Sequence, residues 1–318
     1  YCRRHDDFRF RFFSRSRSLG SGTRVNPGIG EICSVTCALL WAIVTISLKR
    51  AGEIVPPFEL NLLKNIGIAL LLLPAVFIFE FDAWKLFSSS DTWILVLSGV
   101  VGVCIADWFL LASLNLLGAG RSAILDSLYS PFVIIFAWFA LGEQFTLNRI
   151  GGGLLVVAGI LIATLPERNS GKVKKLSRGI AYGIAAMVSM AGAIVLAKPV
   201  LEKAPFFAAM EIRMLAGIAS GFLGLIAVGK FRMFAKLSTS PKFPHLRVWV
   251  GICIPAFFAM CLWIQGYRLL EASVASILNQ TSTFFILGLA YWFLGEKLNC
   301  TKVLGALISF GGVAIVVL

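Results

Sequence analysis

The chain has 318 residues, of which 58% are hydrophobic and only 14% charged, and its mean hydropathy is +0.87. That balance excludes a soluble globular protein. The formal charge of +13 would suit a nucleic-acid partner in a soluble chain. In one this apolar it belongs instead to loops beside a lipid bilayer, where Lys and Arg gather on the cytoplasmic face.

Residues 1–28 differ from the rest of the chain: they carry Arg3, Arg4, Arg9, Arg11, Arg15, Arg17 and Arg24 and have no apolar core. Two expectations stand for this tail. It is a transit peptide, or it is upstream sequence that is not native, with Val25 as the true start. Beyond it, apolar runs of roughly 20 residues recur, each long enough to cross a bilayer core of about 30 Å as a helix. They predict spans over 30–48, 58–79, 92–113, 119–140, 149–165, 179–197, 206–228, 248–267, 273–293 and 301–318. The runs are continuous rather than alternating, which excludes a membrane barrel. The fold class expected is therefore an all-α integral membrane protein with ten transmembrane helices. The seven cysteines form no CxxC pair and lie mostly inside the spans. Cys33 and Cys37 share a helix face without His or carboxylate company, so no metal, disulfide or cofactor is expected.

The second half repeats the first. Residues Ala119–Leu165 align without a gap on Ala272–Leu318, with 13 identities in 47 positions. These include Leu141-Gly142-Glu143 on Leu294-Gly295-Glu296, Gly152 on Gly305 and Gly159 on Gly312. The front halves match more faintly, Gly30 meeting Gly179, Lys49 meeting Lys198, Pro56 meeting Pro205 and Lys64 meeting Arg213. The domain reading is a first repeat at 29–165, a basic linker at 166–178 and a second repeat at 179–318. Five spans per repeat force the second copy to enter the membrane upside down, giving two inverted five-helix repeats. With the face carrying the first span's start called side A, the loops of side A hold 5 Lys and Arg against 14 on side B. That excess places side B in the cytoplasm. Counting the Arg-rich tail raises side A to 12, so the orientation depends on the tail.

These residues resemble the drug/metabolite transporter superfamily, in particular its ten-helix members with two EamA-type repeats. The likeness rests on a fourth span running from Ala123 through Pro131 to Leu141-Gly142-Glu143. A fifth span bearing Gly151-Gly152-Gly153 and Ala158-Gly159 comes next. The pattern recurs in the second half with Phe284 where Pro131 would map. The resemblance implies a central cavity lined by spans 1–4 and 6–9, with spans 5 and 10 at the periphery. It also implies export or exchange of amino acids, sugars, nucleotide-sugars, phosphorylated metabolites or purines. The four-helix multidrug exporters of this superfamily carry a proton-binding Glu within their first span. Here Ile32–Leu48 and Ile180–Ala197 hold no carboxylate, which disfavours that mechanism.

A charge near the bilayer centre costs at least about 2.5–3.5 kcal/mol, so intramembrane charges mark candidate sites. Lys64, Asp107, Arg121 and Asp126 all fall, on the expected spans, roughly 3–10 Å below the surface of side B. One reading is a polar site in which Lys64 and Arg121 hold an anionic group while an Asp balances it. The other is a closed ion-pair network bracing spans 2, 3 and 4, with Arg121 snorkelling to the interface. In the second repeat Lys64 becomes Arg213, while Asp107, Arg121 and Asp126 become Met260, Val274 and Asn279. Gln265, Asn279, Gln280 and Thr281 supply amides and hydroxyl there. Such unequal halves fit a substrate whose two ends are recognised differently. Trp41, Trp108, Tyr129, Trp263 and Tyr267 are pathway candidates or packing aromatics. Glu143 and Glu296 are each expected to bond the free N–H groups that open the next span. Gly152 and Gly305 are expected to allow close helix contact.

The function expected is a secondary transporter moving a small polar or charged metabolite, such as an amino acid or sugar, by alternating access. A bacterial-type inner (plasma) membrane is its expected place. The alternatives are a membrane scaffold or subunit and, further off, an embedded enzyme. His5 and His245 lie outside the spans, and no Ser-His or paired-His arrangement sits inside them. The absence of a nucleotide-binding motif points to a gradient or to exchange. The partners are therefore lipid, the metabolite and either a coupling proton or a counter-substrate. No recognisable motif encodes the substrate's identity, its direction or an oligomeric state.

Overall fold

The computed structural model describes residues 28–141, 147–164, 173–201, 203–238, 245–269, 278–296 and 298–317. The Arg-rich tail and Glu143 lie outside them. The described residues are helical from end to end of each span. In chain order the spans are α1 (Ile29–Ala51), α2 (Pro57–Phe79), α3 (Ser89–Leu117) and α4 in two halves, α4a (Ala119–Asp126) and α4b (Tyr129–Leu141). After them come α5 (Leu147–Thr164), α6 (Val173–Leu201) and α7 (Phe206–Ala227). The last three are α8 (245–269), α9 (Ser282–Leu294, preceded across Thr281 by a turn at 278–280) and α10 (Cys300–Val317). Six helices among the described residues are long and apolar enough to cross a membrane, and the remaining apolar helices are shorter in their described parts.

Local chemistry sets the ends. Glu31 in the first turn of α1 accepts from the Gly28 N–H at 2.9 Å, and Lys49 and Arg50 in its last turn suit the negative end of the helix dipole. Pro57 opens α2, where a missing N–H costs nothing. Ser88 caps α3 by accepting from the Asp91 N–H at 3.1 Å, and Gly118 at φ 85 stops the same helix. Stopping there carries α3 past the expected 113, so Asp107 lies about 15 Å from its side B end rather than near the surface. The expected linker at 166–178 is in part helix, because α6 begins at Val173 and exposes Lys175 and Arg178 on its first turns.

Residue pairings show that the repeats are inverted. Between α5 and α10, a Cβ on Gly159 would collide with Ser309 and the Gly305 carbonyl, and one on Gly312 would meet the Gly152 carbonyl and the Val156 amide. The order of these pairs makes the helices antiparallel. Ser309 Oγ donates to the Val156 carbonyl at 3.4 Å, and these two residues occupy the same place in the two copies. Between α2 and α7, Phe79 stacks on Phe207 while Leu62 faces Gly221 and Phe58 faces Gly224, again antiparallel. Between α4 and α9, Gly120 faces Leu287, Thr283 donates to the Ala123 carbonyl at 3.2 Å, and Gln280 reaches Ser130 at 3.5 Å. These three matching pairs thus meet head to tail, as about one pseudo-two-fold axis in the membrane plane.

The irregular backbone obeys the same symmetry. α3 widens to a π-helix over Gly99–Ala106 and α8 over Trp249–Cys253, in the corresponding span of each repeat. α4 breaks at 127–128 and α9 at Thr281, where the antiparallel pair crosses the axis. Wide turns disturb the usual helical bonding and need outside partners. In α3 the Val103 and Cys104 carbonyls receive Asn61 Nδ2 at 3.0 and 3.2 Å, and Asn65 Nδ2 also donates to Val103 at 3.1 Å.

At the side B end, polar contacts join the repeats to each other and neighbouring spans together. Glu296 accepts from the Ala119 and Gly120 N–H groups at 2.6 and 3.2 Å, with Lys302 Nζ 3.9 Å away. This corrects the expected partner. Glu296 caps the start of α4a in the other repeat, not α10, because the antiparallel crossing brings the end of α9 onto that start. Arg50 donates to the Phe293 carbonyl at 2.5 Å, Lys49 to the Asn115 carbonyl at 3.1 Å, and Asn115 to the Gly52 carbonyl at 3.1 Å. Glu296→Ala is expected to cost about 1–2 kcal/mol of stability, measured as a lower unfolding midpoint in detergent. Glu296→Gln, which keeps one acceptor, should lose less.

Candidate functional site

One cavity of about 250 Å³ lies where the spans cross, walled by residues of α1–α4 and α6–α9. Its polar wall holds Lys64, Asp107, Asp126, Tyr129, Arg213, Asn279 and Gln280, together with Asn65, Thr45 and Ser122. Its apolar wall holds Trp41, Trp263, Met190, Met210, Met214 and Met260. Trp41, Lys64, Asp107, Asp126, Tyr129, Arg213, Asn279 and Gln280, scattered along the sequence, are therefore brought to one space.

Arg121 and Gln265 are not in this wall, and helix geometry says why. The cavity-lining positions of α4 are Ser122, Ala123, Asp126 and Tyr129, spaced as one helical face. Arg121 falls a residue earlier, about 100° round the helix from Ser122. On α8 the lining positions are Ala256, Met260 and Trp263, and Gln265 lies about 200° from Trp263, on the opposite side. Trp108 also stands apart, stacked on Phe109 with ring centroids 4.9 Å apart and edge-on to Phe58. The Tyr267 side chain and Glu143 lie outside what is described.

The charges fall into two kinds. Lys64 Nζ lies 2.5 Å from Asp107 Oδ2, with side-chain exposures of 6% and 17%, joining α2 to α3. The pair joins two of the four charges expected to act together, and both of its members also line the cavity. Asp126 borders the cavity and makes no hydrogen bond or ion pair among the described residues. Arg213 is 7% exposed, and among the described residues its Nε finds no acceptor while Nη1 reaches Met210 Sδ at 3.8 Å. Both amide atoms of Asn279 and the Oε1 of Gln280 also lack partners among the described residues. An unmet buried polar atom costs about 1–3 kcal/mol, so these groups face the cavity with bonding capacity to spare. Lys64 is the eighth residue of α2 and Arg213 the eighth of α7. The two matching cations therefore enter the cavity from opposite faces, each about 10 Å deep. Gly99 and Gly102 make room for Arg213. A Cβ on Gly99 would collide with the Arg213 backbone, and one on Gly102 would lie 3.5 Å from Nη2.

Sequence reasoning passed over Asn61, Asn65 and the four methionines. The asparagines were readable as two amides four residues apart in an apolar span, flanking Lys64. A methionine carries no sequence signal that separates a cavity wall from core packing. A separate carboxylate, Glu211, is fully buried on α7 outside the cavity wall, and neither oxygen has a partner among the described residues. Among the described residues, no group of three His, Cys, Asp or Glu side chains gathers to hold a metal.

Inverted repeats that enclose a charged cavity at mid-membrane, between broken helices, define a membrane transporter. The chain belongs to the EamA-like transporter family, whose sequence profile matches residues 28–165 and again residues 177–318. It is 28% identical over 137 residues to the uncharacterized transporter YoaV of Bacillus subtilis (strain 168). That alignment covers 42% of this chain and 46% of the relative, about half of its length. A solved crystal structure of a protein superposes with a TM-score of 0.61 at 16% identity, covering 90% of this chain and 95% of its own. At that identity the likeness concerns the fold. The family and the Bacillus relative both point to a transporter rather than an enzyme.

Removing Lys64 alone strands Asp107 in the membrane. Lys64→Ala should cost about 3–5 kcal/mol of stability, while the double change Lys64→Met/Asp107→Leu should recover most of it. Glu211→Gln, which swaps an unpartnered acid for a neutral amide, should be neutral or stabilising. Unfolding midpoints of the purified variants check all three.

Proposed function

We propose that the protein is a secondary transporter for a small zwitterionic metabolite with an apolar portion, of the amino-acid type. One observation carries this reading: once Lys64 and Asp107 neutralise each other, the described residues of the cavity wall keep one cation, Arg213, and one anion, Asp126. A carboxylate on Arg213 and an ammonium group on Asp126 would satisfy both. Asn279 and Gln280 would supply amide hydrogen bonds, Tyr129 its hydroxyl, and the four methionines with Trp41 and Trp263 would take the apolar part. Thioether side chains adapt to irregular shapes, which suits a range of side chains rather than one. A cavity of about 250 Å³ is of a size for such a molecule and too small for a nucleotide-sugar.

Movement across the membrane would occur by alternating access. Glu296 on α4a and the Arg50, Lys49 and Asn115 contacts would hold side B shut, and passage to that face would require their release. Glu143 repeats Glu296 in the sequence, which suggests an equivalent closure for side A, the two being made in turn. The sequence contains no nucleotide-binding motif, so the energy would come from a gradient, through a coupling proton, or from a counter-substrate. The Bacillus relative supports a bacterial-type plasma membrane as the site of action.

Thermal shift of the purified protein tests the chemistry directly. Free amino acids with apolar side chains should raise the unfolding midpoint, whereas their N-acetyl and methyl-ester derivatives should not. Asp126→Asn and Arg213→Gln should each weaken binding by about 30-fold or more and slow flux into proteoliposomes to match. Equal binding of the blocked derivatives, or no flux for any zwitterion, would overturn the reading.

A further inference from the structure

The loop joining α7 to α8 has a feature that transport does not use. Gly229, at φ 67, ends α7; its N–H bonds the Ile226 carbonyl at 3.0 Å, and the Lys230 N–H bonds the Leu225 carbonyl at 2.9 Å. This left-handed cap turns the chain sharply and fixes the direction of the next segment. A surface helix, Phe231–Ser238, begins at once. Phe234 is 5% exposed and anchors it against Leu62 and Leu225, with its ring 5.9 Å from that of Phe222. Leu223, Ile226 and Val228, at the end of α7, are 60–67% exposed. They mark where hydrocarbon contact ends, so the helix starts at the level of the lipid headgroups on side B.

The exposed surface of this helix is of mixed character. Arg232 and Lys236, four residues apart, share a face, and Lys230 stands just before them, all three exposed. Phe231 and Met233 beside them are 43% and 49% exposed. No Asp or Glu occurs anywhere in residues 228–248. A neutral apolar partner would leave three cations unanswered, and an acidic soluble partner would leave the phenyl and thioether groups in water. A layer of anionic headgroups over acyl chains answers both at one depth.

We infer that the surface helix Phe231–Ser238 binds anionic phospholipid, with Lys230, Arg232 and Lys236 on the phosphates and Phe231 and Met233 in the acyl region. Its role is independent of which substrate the cavity takes. The full-length protein in uncharged detergent is titrated with phosphatidylglycerol and with phosphatidylcholine of the same acyl chains, and bound lipid is counted by native mass spectrometry. The native protein should prefer phosphatidylglycerol, and added salt should weaken that preference. Arg232→Gln/Lys236→Gln should lower phosphatidylglycerol affinity by about fivefold per charge and leave phosphatidylcholine unchanged. Arg232→Lys/Lys236→Arg should keep the preference. Equal retention of the two lipids by the native protein overturns the inference, as does a preference that survives neutralisation. If the neutralised variant does not fold, the salt titration of the native protein decides, and insensitivity to salt overturns it.

Discussion

Inside hydrocarbon, a bare carbonyl or a lone charge has no water to turn to, and this requirement organises the molecule. Lys64 is answered by Asp107 across α2 and α3. The wide turn of α3 is answered by Asn61 and Asn65, and the free N–H groups opening α4a by Glu296. Each answer comes from a different helix, so the contacts that satisfy the backbone also hold the bundle together. Glu211 is an exception buried outside the cavity, whereas Arg213, Asp126 and Asn279 are unmet together around one open space among the described residues. Polar groups otherwise left unpaired in a membrane interior are where a ligand has most to offer.

The symmetry explains why irregular backbone sits where it does. Matching helices run antiparallel, and α2/α7, α4/α9 and α5/α10 each cross at the shared axis, as Val156 and Ser309 do in α5 and α10. In α4 and α9 that crossing falls on the breaks at 127–128 and Thr281. A break there places loosened backbone beside Asp126, Tyr129, Asn279 and Gln280, at the centre of the cavity wall.

Much of this was legible in the chain itself, because hydropathy and repetition are written residue by residue. The apolar runs marked the spans, and intramembrane charge drew attention to Lys64, Asp107, Asp126 and Arg213, which share the cavity. Facing is harder to read. Arg121 carries the same signal as Asp126 and is excluded only by its rotation about α4a, which depends on how α4 meets α9. Glu296 was readable as a cap, but not the helix it caps, since that depends on the crossing of two distant spans. The π segments have no local signature at all. In α3 two of the carbonyls are met by amides some 40 residues away, Asn61 lying 42 positions from Val103.

The unequal charge of the two copies bears on the energetics of any conformational exchange. In the first copy Lys64 meets Asp107. In the second, Asp107 is replaced by Met260, so Arg213 has no acid of its own and touches the sulfur of Met210. If the two faces alternate as proposed, a molecule whose halves were chemically alike would have two-fold-related conformations of equal free energy. Here the two-fold-related arrangement would exchange a carboxylate contact for a thioether, which would give the empty protein a resting preference. A bound carboxylate on Arg213 would narrow that gap, making occupancy itself a determinant of how readily the two faces trade places.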